Sequence, residues 1–179
     1  MKTILVTGGA GFIGSHIVDA LLAHGYQVVV LDNLSTGKRN HLDERVTLIE
    51  GDVRDAGDVG RAFDVGIDAV IHLAGQVSIS LSFQDPGHDL AVNTQGTINV
   101  LQACVQRRVP RLLFASSMTI YGDPAVVPTP EDAPIAPLSY YAVTKYAAER
   151  YVHLTAVRRD VDWPFHVTSL RMYNVYGER

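Results

Sequence analysis

Tyr141 and Lys145 stand four residues apart in the stretch YYAVTKYAAE, a spacing that puts both side chains on one face of a helix. Tyr140 and Lys145 are five apart and diverge, which selects Tyr141 over its neighbour. A phenol ionises near pH ~10 and is a poor base at neutral pH. An ammonium beside it stabilises the phenolate and is expected to lower that value. Such a pair can take the proton of an alcohol, provided that something alongside accepts the hydride leaving the same carbon. Ser117 could hydrogen-bond the same oxygen and hold it in line. Alone, a tyrosine and a lysine at this spacing are a common surface pair, so the reading depends on the elements that position them.

The first 32 residues supply the missing partner. Lys2–Thr7 (KTILVT) reads as a buried strand, and GGAGFIG follows with Gly8, Gly11 and Gly14 three apart. Ile13, Ile17, Leu21 and Leu22 then give a helical pattern, and the run Gln27–Leu31 ends on Asp32. This is the first β-α-β unit of a dinucleotide-binding sheet, with the glycine spacing loosened from the commoner form. Gly8 permits the tight turn, Gly11 lets backbone approach a pyrophosphate at the helix N-terminus, and Gly14 lets the helix lie close on the sheet. Phe12 and Ile13 lie between these glycines and belong to the same cofactor site. The Asp32 carboxylate could accept both adenosine ribose hydroxyls and repel a 2′-phosphate, which favours NAD over NADP. Asn33 adjoins it, while Lys38 and Arg39 could soften the preference. The positive nicotinamide ring would further favour a Tyr141 phenolate.

The rest of the chain reads as one α/β domain with a doubly wound parallel sheet. Arg45–Gly51 is a third strand, followed by Asp52, placed to accept from the adenine amino group, and Val53, whose backbone could meet a ring nitrogen. Asp55 reads as the cap of a helix over Ala56–Phe63. Asp68–Leu73 is a fourth strand, and Leu73, Ala74 and Gly75 would let the chain pass over the pyrophosphate. A loop is expected over Gln76–Pro86, with Ser78, Ser80 and Ser82 unanchored, then a long helix over Asp89–Arg107 in which a buried Asn93 ties backbone together. Arg111–Ala115 is a fifth strand running into Ser116 and Ser117, at the edge where open sheets of this kind bind ligands. Prolines 124, 128, 130, 134 and 137 mark Tyr121–Pro137 as loop. Ser139 then caps a helix over Tyr140–Val157, and Pro164–Leu170 is a sixth strand.

Composition narrows the partners. Fifteen basic against nineteen acidic side chains give a net charge of -4, without the basic stripe that a nucleic-acid partner would want. Cys104 is the only cysteine; it excludes an internal disulfide and reads as a small buried hydrophobe. The histidines at 16, 24, 41, 72, 88, 153 and 166 lack ligand spacing, so no metal site is expected, and His72 reads as a satisfied core residue. No leader precedes the first strand and no apolar run approaches ~18 residues, so a soluble, cytoplasmic protein without a membrane span is expected.

Taken together, the sequence resembles the extended short-chain dehydrogenase/reductase family, and within it the NAD-dependent epimerases and dehydratases of nucleotide sugars. The likeness rests on TGGAGFIG from Thr7, DNLSTG from Asp32, GDVRD from Gly51, HLAG from His72, SSMTIYG around Ser117, the Tyr141/Lys145 pair and RMYN from Arg171. It implies Ser117, Tyr141 and Lys145 as catalytic residues, with Asn174 against the substrate diphosphate and Met172 and Tyr173 near the nicotinamide. Dehydratases of the family carry Asp-Glu after the catalytic threonine; Met118 and Thr119 stand here, so elimination of water is not expected. DNLSTG and SSMTIYG look most like 4-epimerases that interconvert UDP-glucose and UDP-galactose by transient oxidation at sugar C4. A nucleotide sugar, in the first place a UDP-hexose, is the implied substrate. Enzymes of the family acting on other nucleotide sugars, decarboxylating members, ketone or aldehyde reductases and a non-catalytic NAD-binding module are the alternatives. Members of the family continue past the RMYN-like segment into a seventh strand and a domain that grips the nucleotide. Residues 1–179 are therefore expected to be a shortened cofactor-binding domain with little turnover alone. The resemblance also implies a homodimer, packed through the helices of Asp89–Arg107 and Tyr140–Val157.

Overall fold

A computed structural model describes residues 2–179. Six strands form one sheet: β1 (Thr3–Thr7), β2 (Gln27–Asp32), β3 (Thr47–Glu50), β4 (Ala69–His72), β5 (Arg111–Ser117) and β6 (His166–Met172). All are parallel, in the order β3-β2-β1-β4-β5-β6. The chain winds outward from β1 to β3, crosses back to β4, and continues to β6. Connections therefore leave the carboxyl ends of β1 and β4 in opposite directions and open a crevice there, the usual ligand position of a doubly wound sheet.

Parallel strands covered on both faces read as unbroken apolar runs, which is why TILVT and VVVLD carry no polar alternation. Their period of two still sorts the side chains. Leu5, Val29, Leu31, Val70, Leu112 and Phe114 point to one face, against α2 (Ala56–Phe63), α5 (Gly96–Gln106) and α6 (Tyr140–Ala156). Ile4, Val6, Val28 and Val30 point to the other, against Val18, Leu21 and Leu22 of α1 (Phe12–Ala23). Cys104 lies in the first of these cores, fully buried as expected, and burial pushes its thiol pKa up.

β3 and β6 are displaced by one or two residues from the expected bounds, and three further differences bear on the site. Gln76–Pro86 is not a loop: α3 (Ile79–Gln84) and α4 (Pro86–Leu90) occupy most of it. Ser78 caps α3 by accepting from the Leu81 N–H, and Asp85 caps α4 with Pro86 in the first turn, so Ser78 is anchored after all. Ser82 is buried as well, donating to the Ile79 carbonyl. The long helix starts at Pro86 and relaxes into a π turn over Ala91–Gln95 before α5. β5 runs through Ser117, held in register by β6 as far as Met172, so both serines belong to the strand. Ser139 and Asp55 cap α6 and α2 as expected.

Candidate active site

The glycine turn is backbone packed on backbone. Gly8 has φ +71, and a side chain there would strike the Ala74 nitrogen at 2.7 Å; a Cβ on Gly14 would lie 2.1 Å from the Gly8 carbonyl oxygen. At Gly11 an added Cβ would meet only that carbonyl, at 3.3 Å, so bare backbone faces outward. The N-terminus of α1 has no side-chain cap and no acidic residue in its first turn. Its free N–H groups and dipole suit an anion. The Asp32 carboxylate is buried at the end of β2 and accepts from the Ala10 N–H at 2.9 Å and the Leu34 N–H at 2.9 Å. A carboxylate has about four acceptor positions, so each oxygen keeps one for a ribose hydroxyl.

Asp52 stands beside this strand end, but its carboxylate is already engaged. Arg54 grips it with two nitrogens at 2.8 and 2.9 Å, and the Asn33 amide donates at 2.8 Å; the Arg54 guanidinium holds its pKa well below the usual carboxylate range. Val53 is buried, and its carbonyl accepts from Asn99 of α5 at 2.9 Å. Leu73, Ala74 and Gly75 follow β4 over the turn, with the Ala74 N–H donating to the Thr7 hydroxyl at 3.2 Å.

On the other side of the crevice Ser117 at the end of β5 meets Tyr141 of α6, and Lys145 follows one turn along the same helix; the three are 7, 8 and 5 % exposed. Thr119 donates to the Ser117 oxygen from both its N–H and its hydroxyl, at 3.2 and 2.9 Å. Both acceptor positions are then filled and the Ser117 proton is free to be donated. Burial raises the Tyr141 pKa, and the adjacent Ser117 hydroxyl lowers it only in part. This corrects the expectation that Lys145 by itself would leave the phenol easier to ionise: in a dry pocket the cost of a bare phenolate dominates. Burial also brings the Lys145 ammonium down to about 8. Its Nζ lies 4.5 Å from the centre of the Phe114 ring and forms none of the ion pairs among the described residues.

Beneath these residues lies a polar cluster that the sequence reading did not assemble. Asn93 clamps one residue after β4, accepting from the Gln76 N–H at 2.9 Å and donating to the Gln76 carbonyl at 3.0 Å. It thus ties down the segment leaving the sheet rather than the strands themselves. Asp89, with no exposed surface, accepts from Gln76 at 2.6 Å, Asn93 at 3.1 Å and the Thr144 hydroxyl at 2.6 Å. The spacing of Asp89 and Asn93 by one helical turn was the available signal. Farther round, Glu149 and Arg171 pair at 2.7 Å, and Arg171 donates to Tyr121 Oη at 2.7 Å and the Glu131 carbonyl at 2.9 Å. Asn174 is exposed beyond β6, on the segment that returns over α1, where the Glu178 carbonyl bonds His16 at 2.8 Å.

His72 is buried between two hydroxyls, Thr7 at 2.6 Å on Nδ1 and Thr97 at 3.0 Å on Nε2. The ends of the chain fix its polarity: the Ala74 N–H must donate to Thr7, and Thr97 donates to the Asn93 carbonyl at 2.7 Å. Thr7 therefore donates to Nδ1, and the ring proton sits on Nε2. His72 is a satisfied core residue, kept neutral down to about 3 by burial and by the nearby Lys145 charge.

A doubly wound sheet with an uncapped glycine turn at its switch point, and a Ser/Tyr/Lys set across the crevice, defines a dinucleotide-binding domain of the Rossmann class. The chain belongs to the NAD-dependent epimerase/dehydratase family, whose sequence profile matches residues 4–179. It is 40% identical over 177 residues to a putative UDP-glucose 4-epimerase of Methanocaldococcus jannaschii, covering 98% of this chain and 57% of that protein. Its structure is similar to that of Thermus thermophilus UDP-glucose 4-epimerase in complex with NAD, with a TM-score of 0.93 and 44% identity over 99% of this chain and 57% of that one. The Thermotoga maritima UDP-glucose 4-epimerase with UDP-glucose gives a TM-score of 0.92 and 38% identity, covering 98% and 57%. The chain thus spans about half the length of the relatives it matches. Among the described residues no helix is long and apolar enough to cross a membrane.

Proposed function

We propose that these residues form the NAD-binding and catalytic part of a UDP-glucose 4-epimerase. The observation that carries the reading is the convergence of Ser117, Tyr141 and Lys145 opposite an uncapped helix N-terminus whose backbone faces open space. The residues fit the cofactor: Gly8, Gly11, Phe12, Ile13 and Gly14 hold the pyrophosphate on N–H groups, and Asp32 takes the ribose hydroxyls with Asn33 beside it. Asp52, Val53, Leu73, Ala74 and Gly75 line the rest, and Asn174 meets the diphosphate of the sugar nucleotide. NAD bound there supplies a reversible hydride acceptor for the sugar C4. Tyr141 takes the proton of the 4-hydroxyl, Ser117 donates to the same oxygen and aligns it, and the Lys145 charge favours the phenolate. Each proton returns by the same path when the keto sugar is reduced on its other face, so no net oxidation results. Residues 1–179 act as the cofactor half of the protein, with the sugar nucleotide also held by chain that the relatives carry beyond the matched stretch.

The exposed apolar side chains of α3 and α6, among them Phe83 and Tyr140, whose ring centres lie 5.2 Å apart with the planes tilted by 52°, together with Val143, Tyr151 and Leu154, support a homodimer packed through this face. A cytoplasmic location goes with this reading; Cys104, alone and buried, needs no oxidising compartment.

The test is a calorimetric titration with NAD and NADP after any co-purified cofactor is removed. Stoichiometric binding that prefers NAD is expected; no binding by a folded, cofactor-free sample would end the proposal. In the complete enzyme, Tyr141→Phe is expected to leave NAD binding within a few-fold and to cut conversion of UDP-galactose by ~10²–10⁴-fold. Loss of NAD binding with activity would make Tyr141 a structural residue instead.

A further inference from the structure

Asp89 is a wholly buried carboxylate that no cation touches. Its three partners, Gln76, Asn93 and Thr144, are neutral donors, and none of the ion pairs among the described residues includes it. A buried carboxyl group without a cation is costly to ionise, so its place in the site calls for a reason. Thr144 immediately precedes Lys145 on α6, and the Thr144 hydroxyl that bonds Asp89 also reaches the Tyr141 carbonyl at 3.0 Å. From the other side, a Cβ built on Gly75 would meet Asn93 Oδ1 at 3.0 Å and Lys145 Nζ at 3.8 Å. Asn93, which bonds the carboxylate, and the Lys145 ammonium thus converge on the same glycine.

Asp89 and Glu149 act on the Lys145 charge, the Lys145 charge acts on His72, and Tyr141 lies one turn before Lys145 on α6. Glu149 is engaged by Arg171, and His72 is a neutral link in its own hydrogen-bond chain. Tyr141 is uncharged until it acts. Asp89 is the one carboxylate facing Lys145 that no guanidinium holds.

We infer that Asp89 is a positioning residue: its buried negative charge, held by neutral donors, keeps Lys145 an ammonium next to Tyr141. The inference rests on the catalytic reading of Tyr141 and Lys145, but the electrostatic claim stands without cofactor or substrate. The same charge opposes ionisation of Tyr141, so Asp89 acts by maintaining the cation and not by activating the phenol directly.

The chain has three lysines, Lys2, Lys38 and Lys145, so ¹⁵N-labelled lysine ammonium signals can be followed through a pH titration of the cofactor-free protein, with Lys145→Arg for assignment. Asp89→Asn is the informative variant. Its amide oxygen still accepts from Gln76 and Asn93, while its NH₂ donates to a Thr144 hydroxyl turned toward the Tyr141 carbonyl. The network survives and the charge does not. The Lys145 midpoint, near 8 in the wild type, is expected to fall by at least ~1 pH unit. Thr144→Val removes a hydrogen bond and keeps the charge, and is expected to leave the midpoint in place. Equal shifts in both variants, or none in Asp89→Asn, would overturn the inference. Should Asp89→Asn fail to fold, the wild-type ¹³C carboxyl signal decides: Asp89 ionised across the Lys145 titration supports the inference, and Asp89 protonated at pH 7 overturns it. A failure here leaves NAD binding untouched, whereas failure of the NAD titration leaves this result standing.

Discussion

The two sides of the crevice are built by different means. Around β1 and β2 the site is mostly backbone: a glycine turn packed on its own carbonyl, unpaired N–H groups at the start of α1, and a carboxylate held by the Ala10 and Leu34 N–H groups. All of it lies within residues 7–34. Around β4, β5 and α6 the site is side chain, and its bonds are long in sequence: 17 residues from Gln76 to Asn93, 55 from Asp89 to Thr144 and 65 from Thr7 to His72. The backbone site has no room for added atoms at Gly8 or Gly14. A side-chain site has room but depends on where protons and charges lie.

The sharpest way to break this comparison is a methyl group. Gly14→Ala sets a carbon 2.1 Å from the Gly8 carbonyl oxygen, and backbone cannot swing aside as a side chain can. We expect loss of NAD binding together with destabilisation of at least ~1–3 kcal/mol, read in thermal melts and calorimetry. Gly11→Ala, whose added carbon meets only the same carbonyl at 3.3 Å, is expected to keep the melting temperature and still weaken NAD. If Gly14→Ala binds NAD at an unchanged melting temperature, the packing account of this half is wrong.

The same contrast explains what the sequence disclosed. The glycine turn, Asp32 and the first β-α-β unit are local, so spacing alone displayed them, and the alternation of strand and helix patterns pointed to a parallel, doubly wound sheet, while the strand order came only with the structure. Tyr141 and Lys145 were visible because one helix carries both. Asp89, Gln76, Thr144 and Thr97 were not, because each is an ordinary polar residue until the fold closes a long loop around it. The helices over Ile79–Leu90 were hidden for another reason: they are only one to two turns each, α3 carries serines that read as loop and α4 opens on Pro86 and Gly87. Asp52 shows the limit from the other direction, since its position was anticipated but not its capture by Arg54 two residues on.

His72 tests the side-chain half through its protons. The folded ring stays neutral to about 3, against 6.5 for an exposed histidine. Between these values the unfolded chain binds a proton that the folded chain refuses, so ∂ΔG/∂pH is positive there. The contribution is whole above pH 6.5 and is lost as pH falls toward 3. One proton corresponds to ~1.4 kcal/mol per pH unit. His72→Gln, measured by urea unfolding from pH 7 to 4, is expected to be less stable at pH 7 yet to lose stability more slowly on acidification. An unchanged slope would mean that the ring accepts the proton in place, contradicting the hydrogen-bond polarity from Ala74 to Asn93.

The smallest effect is expected where the two halves meet. Asn99 of α5 is buried and donates to the Val53 and Arg54 carbonyls at 2.9 and 3.0 Å, holding the segment after β3 to a helix that otherwise serves the other side. Asn99→Ala leaves two carbonyls without that donor, a loss of ~1–2 kcal/mol. If Val53 lines the adenine site, the same change loosens NAD by a few-fold while leaving the Lys145 titration where it was. A change in Lys145 as well would show that the halves are one electrostatic unit, and the division between backbone and side-chain construction would fail at its seam. A stability loss with no change in either readout would retain the division and remove Val53 from the cofactor site.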